Sequence, residues 1–207
     1  MNAAGAALGG LDMTQLLALA AALGWASGLR LYAVVFLTGL AGQLGWVELP
    51  QGLQLLQRPL LLGASGLMLA LEFFADKIPG LDSLWDAVQT FIRIPAGALL
   101  AAGVFGGDQP SWALIAALMG GTLAATSHVA KASTRAAANT SPEPFSNLGL
   151  SLLDDVAVPT MLWLSWAHPL WFFVALALAL VLMVTLIVLL AKFVRRLLPR
   201  RAASGAG

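Results

Sequence analysis

Apolar positions in this chain are grouped in runs long enough to cross a bilayer, and the polar ones fall between those runs or as stripes inside them. The first run, Met13 to Trp46, is too long for one straight span: at ~1.5 Å rise per residue it would measure about 50 Å, against a hydrocarbon core of about 30 Å. The stretch GWASGLRLY, Gly24 to Tyr32, carries two glycines, Gly24 and Gly28, with Arg30 near the midpoint of the run. Either the helix breaks near Gly24 to Arg30, where protein or a cavity must cover the freed backbone groups, or it is one long tilted helix in which Arg30 snorkels. One crossing puts the N-terminus on the side of the C-terminus, and two put it on the other.

Residues 47–58 read as a loop with a short interfacial segment. Pro59 then opens a second run to about Lys77, Pro being suited to a first helical turn. In it Ser65, Glu72 and Asp76 fall at i, i+7 and i+11, one side of a helix. IPGLD is a turn, and Ser83 with Asp86 resembles a capping box at the start of a third span, Leu84 to about Phe105. That span carries a stripe of Asp86, Gln89, Thr90 and Arg93. After GGDQP, Ser111 is the expected cap of a fourth span, whose later part places Ser127, Lys131 and Arg135 on one face, beside His128. A rigid Pro-containing loop from Asn139 to Asn147 includes Ser141, as a cap, and Glu143. The fifth span, Leu148 to Trp166, holds Ser151, Asp154, Asp155 and Pro159, and the sixth, Pro169 to Ala191, has no charge. GLMLALEFFADK aligns with GGTLAATSHVAK and IRIPAGALL with VAVPTMLWL, which points to duplicated helical hairpins, each with a proline inside its second helix. The expected fold is all-α, a polytopic membrane helical bundle of five to six spans over residues 13–193, with a flexible 1–12 and a basic tail over 194–207.

Composition agrees: 59% of the 207 residues are hydrophobic and 10% charged, with a mean hydropathy of +0.86, outside the range of soluble domains. A net charge of +1 gives no basic patch for nucleic acid. The chain has no cysteine, which excludes disulfides, thiolate metal sites and a Cys nucleophile. No Lys or Arg precedes the first run, so the start does not read as a cleaved signal peptide. Of nine Lys and Arg outside membrane depth, eight lie on the side of the closing KFVRRLLPRR and only Arg58 on the other. The positive-inside rule therefore places the C-terminus in the cytoplasm.

Charges inside apolar runs are costly and mark functional or paired sites. Four spans bring such charges to one half of the membrane: Glu72, Asp76, Lys77, Asp86, Arg93, Lys131, Arg135, Asp154 and Asp155, with Arg30 bounding them from the middle. Asp82, Asn139, Ser141, Glu143 and Asn147 lie on or beside the connecting loops. Capping of the third span accounts for Asp82 and Asp86 more cheaply than a shared cation does. Asp154 and Asp155 point about 100° apart on a helix, so they do not form one acid pair. Arg93 is expected to pair with Glu72 or Asp155. His128 has no second histidine nearby, and neither a metal nor a cofactor is expected. No HExxH, phosphate-cradling Gly loop, DxD or lipid-phosphatase pattern is present.

The phrases ASGLRLY (Ala26 to Tyr32), ADKIP, DSLWD and IR-P within Glu72 to Arg93, and SPEPFSN (Ser141 to Asn147) resemble a family of bacterial membrane proteins, domain of unknown function 4126, over roughly residues 15–190. The resemblance implies a helical bundle in the bacterial inner membrane and carries over no catalytic or binding residue. The residues themselves point to a transporter or channel-like protein. Its cytoplasm-facing charged vestibule would receive a small ion, metabolite or lipid head group. An enzyme acting on a lipid head group and an assembly protein are the alternatives. Membrane lipids and a small ion or anionic substrate are the expected partners, together with a second copy through Gly-rich helix faces.

Overall fold

A computed structural model describes residues 10–78, 80–106, 109–139 and 145–197. The described residues form helices joined by short connections and no strand: α1 (Met13–Gln43), a short 3-10 helix (Gln51–Gln57), α2 (Pro59–Ala75), α3 (Leu81–Gly103), α4 (Pro110–Ala138), α5 (Phe145–Ala167) and α6 (Pro169–Leu197). Four of them, α1, α4, α5 and α6, are long and apolar enough to cross a membrane, and the 3-10 helix with α2, bent by 70°, makes a fifth candidate. At ~1.5 Å per residue α3 is also long enough to span, but its polar first half keeps it below the same apolarity.

The first run is broken, and the break is at Arg30, whose backbone (φ −145°, ψ 83°) is not helical. The two legs, 13–29 and 31–43, return to the same end of the molecule. A straight helix of this length would be about 46 Å long. Yet a Cβ placed on Gly10, before the helix, would lie 3.6 Å from Glu48 Oε2, beyond it. Gln15 Nε2 donates to the carbonyl of Trp166 at the end of α5, 3.1 Å, and Trp46 lines a cavity with that same Trp166. The tilted-helix alternative is thereby excluded. The glycines expected to cause the break serve packing instead. A Cβ on Gly24 would collide with the backbone of Gly120, and one on Gly28 with Ala124 and Ser127.

The bundle is thus three helical hairpins and a closing helix. The legs of α1, the pair α2/α3 and the pair α4/α5 all have their tips at one end, here the tip end. α1 sits at the centre: Leu16, Leu19, Leu23, Ala26 and Val34 are all nearly inaccessible. On the outside, α6 presents Leu170, Leu178, Val181 and Leu189, all largely exposed, as a lipid-facing surface would be. Pro95 and Pro159 lie inside α3 and α5, the second helices of the two aligned hairpins.

Several helix ends differ from expectation. α3 begins at Leu81 behind Gly80 (φ +87°), with no side-chain cap, so Ser83 is not a capping residue. The expected box fails because Asp86 is engaged with cations deeper in the bundle. α4 begins at Pro110 with Gln109 in the cap position, which displaces Ser111 into the first turn. α6 continues through Lys192, Arg195 and Arg196, so the start of the basic tail is helical. The first twelve residues were expected to be flexible; Asp12 closes a capping box with Gln15 on α1, and residues 1–9 lie outside the described part.

Candidate functional site

The hairpin tips meet in a buried network of ion pairs. Hydrogen-bond spacing along α2 puts Glu72 and the C-cap Asp76 on one side, where α3 presents Asp86 and Arg93 and α4 presents Lys131 and Arg135. Arg93 Nη2 lies 2.6 Å from Glu72 Oε1, and its Nη1 lies 2.8 Å from Asp86 Oδ1. Glu72 was one of the two partners expected for Arg93. Asp155, the other, is not one: it faces Arg30 and Lys77 from the opposite side of the network, 2.9 Å and 3.3 Å away. His128 Nε2 lies 2.7 Å from Thr90 Oγ1, whose own proton goes to the Asp86 carbonyl at 2.9 Å, and its Nδ1 stands 3.4 Å from Arg93 Nη1.

Asp76 is the hub. It accepts from Arg135 Nη1 at 2.8 Å and Lys131 Nζ at 3.0 Å, and lies 3.3 Å from Arg30 Nη2. Asp154 and Asp155 diverge as their angular separation on a helix requires. Asp154 turns to Lys131 and Arg135, at 3.6 Å and 3.9 Å. Five carboxylates, Glu72, Asp76, Asp86, Asp154 and Asp155, therefore face five cations, Arg30, Lys77, Arg93, Lys131 and Arg135. Burial of this many charges is tolerable only with such mutual pairing. Asp86 does not cap its helix, contrary to the cheaper sequence reading. Asp82 does act at the start of α3, its Oδ1 accepting from the N–H of Gly80 and of Ser83 at 2.9 Å and 2.6 Å.

The broken helix contributes directly. Beside the break the Leu29 carbonyl accepts from Lys131 Nζ, 2.6 Å, and Arg30 Nη2 donates to Ser151 Oγ at 2.9 Å and to the Ser151 carbonyl at 3.3 Å. Neither Leu29 nor Ser151 was among the candidate residues. Ser151 stands one helical turn before Asp154 and Asp155, a spacing that could have drawn notice, whereas nothing in the sequence marks a carbonyl. Asn139 joins the two outer tips: its Nδ2 donates to Asp82 and to Ser83 Oγ, and its Oδ1 accepts from Asn147. Ser141 and Glu143 lie outside the described residues.

The expected vestibule takes a different form. The charged groups are paired with one another, and two openings beside them face sideways, toward the surface that lipid would cover. One of about 610 Å³ has Arg30 and Asp155 in its lining, and one of about 110 Å³, between α4, α5 and α6, reaches Lys131, Arg135 and Asp154. Among the described residues no three His, Asp or Glu stand where one metal ion would be held, each of the five carboxylates being turned to a cation.

A bundle of long apolar helices closed around such a network defines a multi-pass membrane protein. The model of the family described as Domain of unknown function (DUF4126) matches residues 17–189, and the chain belongs to that family. No curated protein and no solved structure matches it.

Proposed function

We propose that this protein is a transporter or channel-like protein of the bacterial inner membrane, in which the charged centre at the hairpin tips receives a small ion, a metabolite or a lipid head group. The observation that carries the proposal is the interrupted α1, which aims Arg30 and the Leu29 carbonyl at the charges from inside the bundle. Discontinuous helices around a polar centre are the usual architecture of transporter sites. A network that only held helices together would be served as well by an unbroken α1. The tip end faces the cytoplasm on this reading: Lys192, Arg195 and Arg196 extend α6 at that end, and Arg58 lies at the other, as the positive-inside rule requires. An enzyme at the lipid head group receives less support, because it would need a free base or nucleophile and the acids here are paired.

The test is flux into proteoliposomes over a panel of small anions, small cations and polyprenyl-phosphate lipids. Arg30→Lys is expected to cut flux roughly tenfold or more while the protein still inserts and purifies as a single species, because Lys keeps the charge and loses Nε and Nη1, the two guanidinium donors left unpaired beside the Nη2 that meets Asp155 and Ser151. Full activity in Arg30→Lys, or chemical turnover of an added lipid, would overturn the proposal.

A further inference from the structure

Between the second leg of α1, α2 and α5 the bundle leaves a groove open to the lipid side. Its inner part, about 610 Å³, is walled by Ala33, Leu37, Ala70 and Phe73 and has Arg30 and Asp155 at one end. A second cavity of about 420 Å³ shares Leu37 and Pro159 with the first and continues it to Trp46, Trp163 and Trp166. The groove therefore runs along α5 from Asp155 to Trp166, ~16 Å at 1.5 Å rise.

The polar end is built for an anion. Arg30 is 1% exposed, and its Nε and Nη1 have no hydrogen-bond partner, Nη2 alone carrying the contacts to Asp76, Asp155 and Ser151. Unused guanidinium donors in a dry site are costly unless something fills them. Lys77, 19% exposed, holds the other oxygen of Asp155 at 3.3 Å, with its Nζ 3.1 Å over the Phe73 ring. Asp155, 22% exposed, is thus an internal anion between two cations, at the place where a ligand oxygen entering from the groove would arrive.

We propose that the groove binds an anionic, phosphate-headed membrane lipid, with an acyl chain along α5 and the phosphate displacing Asp155 from Arg30 and Lys77. The apolar wall selects a lipid over a soluble phosphate. The planar donors of Arg30 meet phosphate oxygens, which a neutral head lacks, and beside Lys77 they favour the more highly charged phosphate monoester over a phosphate diester that carries its own cation. This inference rests on the transport reading for the role of Arg30 and names a substrate class for that same centre.

The experiment is equilibrium binding to the detergent-purified full chain, read by native mass spectrometry. It uses phosphatidic acid, phosphatidylcholine and diacylglycerol of identical acyl chains, with inorganic phosphate as competitor. Phosphatidic acid is expected to bind roughly tenfold more tightly than either other lipid, and inorganic phosphate to leave it in place. Ala70→Trp, which fills the groove from an exposed position, is expected to weaken it about fivefold or more with the thermal midpoint unchanged, and Lys77→Gln, which also gives up the pair with Asp155, to weaken it as much with a lowered midpoint. Equal binding of diacylglycerol, displacement by inorganic phosphate alone, or full binding by Ala70→Trp would overturn the inference. Binding is read without any flux, so the two proposals fail separately. Selective lipid binding by a protein that moves nothing sinks only transport, and small-ion flux without lipid selectivity sinks only the lipid site.

Discussion

Asp76 carries more of the network than any other single carboxylate, since Arg30, Lys131 and Arg135 all converge on its two oxygens within 3.3 Å. Replacing it by Asn removes one negative charge from among three buried cations and leaves Lys131 and Arg135 with Asp86 and Asp154 at 3.5 Å or more. Breaking a buried pair on one side costs about 3–5 kcal/mol. Asp76→Asn should therefore lower the thermal midpoint in detergent by the largest amount of any single carboxylate-to-amide change. Asp155→Asn should cost less than half as much, because Arg30 keeps Asp76 at 3.3 Å and Lys77 keeps Ser151 Oγ at 3.2 Å. Equal losses for the two would mean that the hub is not where the distances put it.

At the scale of elements, three helices meet where Gly24 of α1, Gly97 of α3 and Gly120 of α4 face one another. A Cβ on Gly120 would collide with the Ala101 Cβ and sit 2.8 Å from the Gly97 carbonyl oxygen, neither of which is the end of a flexible side chain. Gly120→Val should then cost about 1–3 kcal/mol or more by overpacking, seen as a lower thermal midpoint, whereas Gly63→Val, in open space on α2, should be neutral. The glycine faces that suggested a second copy of the chain are in good part used here, within one chain. Much of the architecture was legible because lipid imposes it: apolar runs of span length, prolines at helix starts, and charges whose helical spacing put Glu72 and Arg93 within reach. The break in α1 was legible from the length of the run and the charge at its middle, while the two glycines taken as its cause pack against α4 instead. Arg30 has neither proline nor glycine beside it to mark a stop, and its non-helical backbone is held by long-range contacts from Lys131 and Ser151. The caps were misassigned for a related reason, since Ser83 and Ser111 carry the local signal while Gly80 and Gln109 occupy the cap positions. Local preference yielded to the packing of the hairpins.

Across the whole molecule the two ends have different characters. Five of the seven tryptophans, Trp46, Trp112, Trp163, Trp166 and Trp171, belong to helix ends or connections opposite the hairpin tips, as an interfacial aromatic belt would. The tip end instead has Lys192, Arg195 and Arg196 on α6. Lys131 and Arg135, which the charge count treated as loop residues, are buried in ion pairs and no longer vote on orientation. That weakens the count and leaves the closing cluster of α6 as its main support. The doubling back of α1 adds a sharper constraint: Met13 and Glu48, before and after the run, must lie on the same side, opposite Ala136 at the end of α4. The chain has no cysteine of its own, so single Met13→Cys, Glu48→Cys and Ala136→Cys variants, each at an exposed position, report cleanly to an impermeant maleimide. In intact cells the first two should label from outside and the third only after the membrane is opened. Labelling of Met13→Cys and Glu48→Cys from opposite sides would restore a single crossing and remove Arg30 from the tip of a hairpin. Joint labelling of both from the inside would keep the hairpin and reverse the orientation.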